Sequence, residues 1–345
     1  MGTGNQAMIP KARGMFAKRP SSVDYEELIR RRTVPEVAAL LKKHPYFRDS
    51  LATLSTTDPH RGQIEELLNM DVFNKYEALL RYDFADDGFS AYFLDECEMR
   101  EILKALQMLS IGIPGGYMNQ IPPYLVGKLH IDLFELAAAT NFQDLLQVVR
   151  RSIYYRTLRG RFLVDPLLRD FPMTEAMMLR HYYASLFERI DRSLKGREAQ
   201  AVTHLFQQEA EVYNLELIAR VKAFFPNVYN NEQIHQLLIP YTHRVPKWRL
   251  EQMIEARDLP TLASLFKQSN VNIDIENLTL ESLPTSGSGA LFRYARRMLH
   301  LSAAPNAALA CFVSLAKLIR QDVVNVIEGV RYSLEPQKIR AMLWT

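Results

Sequence analysis

Residues Glu209–Phe225 read EAEVYNLELIARVKAFF, a stretch with no glycine or proline. Phe206, Ala210, Tyr213, Leu217, Val221 and Phe224 recur at steps of four and three, the spacing of one helical face. Val212, Leu215 and Ile218 make much of the neighbouring face apolar as well. A helix apolar over more than half its circumference is buried by other helices. Yet Glu209, Glu211 and Asn214 sit within it, and buried carboxylates and amides need partners or cost several kcal/mol.

The same pattern recurs. Glu211-x-x-Asn214-x5-Arg220 is matched near the C-terminus by Asp322-x-x-Asn325-x5-Arg331, and a third long helix carries Glu98. The block His130–Val149 aligns with Lys247–Phe266 at one constant offset: Leu133 on Leu250, Leu136 on Met253, Ala139 on Ala256, Phe142 on Leu259 and Leu145 on Leu262. Self-similarity of this kind marks repeated helical units that bury faces against one another.

Composition agrees with an all-α chain. It has 345 residues, 48% apolar and 23% charged, with only 14 glycines. Leu, Ala, Arg and Glu are common, which favours helix. The expected helices begin near Asp24, at Val34, and at Gln63, Phe89, Ile131, Thr174, Arg197, Asn231, Lys247, Gly289 and Pro305, with a short one near Glu335. Thr33 is the expected N-cap of the second, with Pro35 in its first turn and Glu36 placed for a capping box. Residues 1–20 read as a basic lead-in, Asn270–Leu280 as extended or irregular, and Asp58-Pro59, Asp86–Gly88 and Pro284–Gly289 as breaks.

Several function classes are disfavoured. Net charge is +3 with Lys and Arg spread along the chain, so no nucleic-acid footprint stands out. Cys97 and Cys311 lie in apolar helical contexts, as reduced core residues of a cytosolic protein do. No signal peptide is read at the start. Leu106–Gly127 and Met298–Ala316 are too interrupted to span a bilayer. No P-loop, nucleophile elbow or H-x-x-x-H pair is present. No catalytic, cofactor-binding or metal-ligating residue is assigned, and no cofactor or small-molecule substrate is expected. The tyrosine pairs Tyr154-Tyr155 and Tyr182-Tyr183 are read as packing.

Glu98, Glu209, Glu211, Asn214, Arg220, Asp322, Asn325 and Arg331 form the candidate buried polar set. It is either a hydrogen-bond network fixing helix packing or a carboxylate site for catalysis or ions. The lack of a histidine or second clustered carboxylate at ligand spacing favours the network.

Three motifs together resemble the C family of central-stalk subunits of V-type (archaeal-type) rotary ATPases, designated d in eukaryotes. They are the opening KARGMF…DYEELIRRRTVPEVAALL, the Glu209–Phe225 helix and the ending RQDVVNVIEGVRYSLEPQKIRAML. The family's closing pattern I-x-G-x-R-Y-x-L-x4-I falls on Ile327, Gly329, Arg331, Tyr332, Leu334 and Ile339. Glu101 and Gln107 depart from the family's Asn and Arg in the first unit, and Ile9-Pro10 stands where an aromatic-containing helix is usual.

The resemblance implies three similar helical units in a pseudo-threefold, funnel-like arrangement. They cover residues 21–155, 156–280 and 281–345, the last completed by the N-terminal helices. It implies a non-catalytic rotor subunit, present once in a large complex on the cytoplasmic face of the membrane. Its partners would be the D and F stalk subunits and the membrane proteolipid ring, and its role to couple ATP-driven rotation to H⁺ or Na⁺ transport. The loops Gly112–Pro123 and Leu283–Gly289 are candidate contact edges. The competing readings are a soluble helical scaffold or regulatory adaptor, and an all-α enzyme assembled from Glu98, Glu211, Asp322 and Arg220.

Overall fold

Local capping chemistry sets the helix starts. Ser21 and Asp24 form a reciprocal capping box. The Thr33 hydroxyl accepts the Glu36 N–H at 3.4 Å, and the Glu36 carboxylate accepts the Arg32 N–H at 2.9 Å, so the reciprocal bond lands one residue before the cap. In the computed structural model, residues 6–55, 61–84, 88–271 and 288–344 are described. Among them the chain forms 16 α-helices and three short 3-10 turns, with no strand.

The chain divides into two compact units. In chain order, α1 (Met8–Ala17), α2 (Ser22–Ile29), α3 (Val34–Lys43) and α4 (Arg61–Leu80) open the first. Then α5 (Tyr92–Ser110), α6 (Leu133–Ala138), α7 (Phe142–Val148), α8 (Tyr155–Val164) and α9 (Phe171–Ser193) make most of the second. α10 (Gly196–Phe224) returns to the first, and α11 (Asn231–Leu237) to the second. α12 (Lys247–Glu255), α13 (Leu259–Gln268), α14 (Ser288–Leu301), α15 (Pro305–Arg331) and α16 (Pro336–Ala341) complete the first.

The first unit is built around α15. Asn306–Ala316 and Asp322–Ile327 are buried without a break. A helix apolar all round must be enclosed, and α15 is contacted by α1, α2, α3, α4, α10, α14 and α16. The second unit is organised by the pairing of α5 with α9. There Tyr182 and Tyr183 are each 4% exposed, consistent with packing.

Three expectations are corrected. The lead-in is a helix: Met8, Ile9, Ala12 and Phe16 of α1 are buried, because their three- and four-residue spacing gives α1 one apolar face. Two expected long helices are broken. The first ends at Ala138 and restarts at Phe142; the second ends at Glu255 and restarts at Leu259. The breaks fall on the aligned pair Ala139 and Ala256, which share an extended backbone (φ −62°, ψ 126° and φ −55°, ψ 127°). Asn141 and Asp258, also aligned, then cap the restarted helices. Between the expected starts at Ile131 and Thr174 the chain forms a further helix, α8. The expectations for Asp58-Pro59, for most of Asp86–Gly88 and Asn270–Leu280, and for 284–287 lie outside the described residues.

Candidate functional site

The polar set resolves into a clamp made from a long helix and a segment that follows it. On α10, Glu211 is 7% exposed and Asn214 fully buried. One Glu211 carboxylate oxygen accepts three successive backbone N–H groups, from His243 and Arg244 at 2.7 Å and from Val245 at 2.8 Å. Asn214 Nδ2 donates to the Tyr241 carbonyl at 3.3 Å. Acid and amide are three residues apart, hence neighbours on one helical face. Together they hold a carbonyl and the N–H two residues beyond it.

α15 repeats this geometry. Asn325 Nδ2 donates to the Met342 carbonyl at 3.0 Å, and the Trp344 N–H, two residues on, donates to Asp322 at 3.2 Å. Trp344 Nε1 also donates to the Leu318 carbonyl at 3.1 Å. Burial pushes the Asp322 carboxyl well above the usual carboxylate range, against the opposing pull of the Trp344 amide and the Tyr25 hydroxyl.

α5 carries a partial copy. Glu98, 1% exposed, accepts the His130 N–H at 2.8 Å. His130 lies 32 residues after its acid, as His243 lies 32 after Glu211. Where the amide stands in the other copies, this helix has Glu101, and a carboxylate cannot donate to a carbonyl. Glu101 instead accepts from the Tyr117 hydroxyl at 2.8 Å and Lys104 Nζ at 2.9 Å.

The remaining candidates fall outside the clamps. Arg220 is half-buried, four residues beyond Glu216, whose carboxyl is pushed up to about 8 by burial against the pull of Arg220. Arg331 is exposed, 4.0 Å from Glu328 and over the Tyr332 ring, so its assignment to the buried set is corrected. The reason is position: Arg331 is the last residue of α15, beyond the stretches of that helix that are buried without a break. Glu209 is half-buried and joins α10 to α15 by accepting from Lys317 Nζ at 2.6 Å.

Other buried charges escaped the sequence reading. Asp71 on α4 accepts from the Ser50 hydroxyl at 2.8 Å and pairs with Lys75, whose ammonium lies 3.4 Å from the Tyr46 ring centroid. Burial raises the Asp71 carboxyl and lowers Lys75, each opposed by the other's charge. Asp95 pairs with Arg189. The available signal was an acid and a base four residues apart beside Val72 and Phe73. Cys97 and Cys311 are free and buried, with thiols pushed up to about 11 and about 12, so neither is a ready nucleophile.

Each carboxylate of the three clamps is thus engaged by the chain's own backbone. Among the described residues no group of three or more His, Cys, Asp or Glu is placed to hold a metal ion, and no helix is long and apolar enough to cross a membrane. The arrangement ties loops and the chain end to long helices. A family model described as ATP synthase (C/AC39) subunit matches residues 8–342. No curated protein matches the chain.

Proposed function

The chain belongs to the ATP synthase (C/AC39) subunit family, a structural and non-catalytic component of V-type ATPase complexes, and from that premise we propose that it is a rotor adaptor. In this reading it joins the D and F subunits of the central stalk to the membrane proteolipid ring, on the cytoplasmic face. It transmits torque between ATP turnover and H⁺ or Na⁺ movement. The observation that carries the reading is the family match over nearly the whole chain.

Its internal construction supports the mechanical role. A torque carrier must not yield at its loops, and each clamp pins a following segment to a long helix through buried polar contacts. Such contacts are costly to break singly. The reading keeps three repeated helical units, at residues 21–155, 156–280 and 281–345, each with its acid: Glu98, Glu211 and Asp322.

The test is affinity purification of a tagged full-length chain from solubilised native membranes, with mass spectrometry of the copurifying proteins. Recovery of the D and F subunits, the ring proteolipid and the A and B ATPase subunits is the expected outcome. Recovery of the chain alone, or of soluble partners only, overturns the rotor reading and returns the chain to the scaffold class.

A further inference from the structure

Met1–Val23 and Ser282–Gln321 contain no acid. They lie near opposite ends of the chain, and the first unit brings them together. Phe16 of α1 meets the rings of Phe292 and His300 on α14, with centroids 6.3 and 6.2 Å apart. Arg13 donates to the Leu299 and Ser302 carbonyls at 2.8 and 2.9 Å. Both helices turn their apolar residues inward, and apart from Arg13 their cations are exposed.

On α14, Arg293, Arg296, Arg297 and His300 are all exposed. Their spacing places them within about 100° of helical arc. Lys11 on α1 and Lys18, the residue that caps its C-terminus, are exposed. The Arg19 guanidinium is lowered from its ordinary value, first by burial and then by the charge of Arg296, so cations of the two helices lie close enough to repel. Among the described residues no carboxylate pairs with Arg293, Arg296, Arg297, Lys11 or Lys18. Other arginines of the unit do have carboxylate partners: Arg31 with Glu27, Arg61 with Glu65 and Glu328, and Arg340 with Glu26. The chain as a whole is only +3, so this cluster is a local concentration of positive charge.

We propose that the outer face of α14, flanked by α1, is a docking surface for an acidic face of another protein, a helix bearing carboxylates at i, i+3, i+4 and i+7. Charge complementarity requires an anion, and the residue types favour a protein one. Helices that lie on membranes present a broad apolar face; on α1 and α14 the only exposed large apolar side chain among the described residues is Leu301. Arginine predominates, and its planar fork matches carboxylates in fixed geometry. α14 packs along the buried α15, so the spacing of the stripe is rigid. The inference goes beyond the rotor reading and stands without it.

The test uses the full-length chain and a fluorescein-labelled, alanine-based helical peptide with glutamates at i, i+3, i+4 and i+7. Binding measured by anisotropy should weaken as salt rises. R293E/R296E/R297E should weaken it by roughly tenfold or more and should acquire binding to the lysine version of the peptide. R150E/R151E/R156E, which changes net charge equally in the other unit, should leave affinity within about twofold. Should the reversal variant not fold, R293Q/R296Q/R297Q carries the same expectation of weakened binding. Unchanged binding after either α14 substitution, or an equal loss in the control triple, overturns the proposal. Preference for phosphatidylcholine vesicles containing phosphatidylserine over the peptide also overturns it, and assigns the surface to a membrane.

Discussion

Glu211 shows how one side chain sets a local structure. One of its oxygens meets three consecutive amides, one buried and two part-buried, so its removal leaves three donors unpaired at once. Glu211→Ala should therefore cost about 3 kcal/mol, and Asn214→Leu, which takes the amide donor from the Tyr241 carbonyl, about 1–2 kcal/mol. Thermal melting checks both; unchanged melting would remove the clamp reading. Asp322 differs because its carboxyl is raised by burial. The folded chain then keeps a proton that the unfolded chain releases. That contribution to stability is fully present below the ordinary value of 3.8 and is lost as pH rises through the higher folded value. Asp322→Asn keeps an oxygen for the Trp344 N–H without a titrating proton. Melting across this range should show a flatter decline with rising pH than the natural chain; identical profiles would contradict the assignment. The acid and amide were legible in sequence because a three-residue step keeps them on one face. Arg331 was misplaced because it is the last residue of α15, beyond that helix's buried stretches, and a recurring spacing does not show where the enclosure ends.

Among whole elements, the closing pattern gains a physical reason. A Cβ on Gly329 of α15 would stand 2.6 Å from Ile339 Cγ1 and 2.9 Å from its Cδ1 on α16. The glycine is thus the space into which the isoleucine packs. Gly329→Ala should destabilise the first unit by about 1–3 kcal/mol through overpacking, although alanine is the better helix former. A double-mutant cycle with Ile339→Ala, followed by thermal denaturation, should show strong non-additivity; additive effects would place the glycine's role elsewhere. Helix existence and most helix ends were legible from periodicity and caps. The breaks at Ala139 and Ala256 were not, because apolar spacing runs straight through them. Asn141 and Asp258 were the signals, since each is an N-cap residue inside an otherwise continuous pattern.

For the molecule as a whole, complex membership is a property of folded surfaces. Copurification with the stalk, ring and ATPase subunits should therefore survive Asp322→Asn and fall with Gly329→Ala only as far as folding falls. The opening motif and the closing motif meet in one unit, where α1, α2, α3 and α16 all pack on α15. The sequence alone determined the all-α class, the acid-x-x-Asn repeat and the family resemblance, because helix spacing, caps and motif order are local properties read within a few turns. Tertiary structure alone decided that α15 is the hub, that Arg331 faces solvent, that Asp71 and Asp95 are buried with cations, and that two acid-free ends share one surface. These depend on contacts between residues far apart in the chain, which burial and packing select and no local spacing encodes.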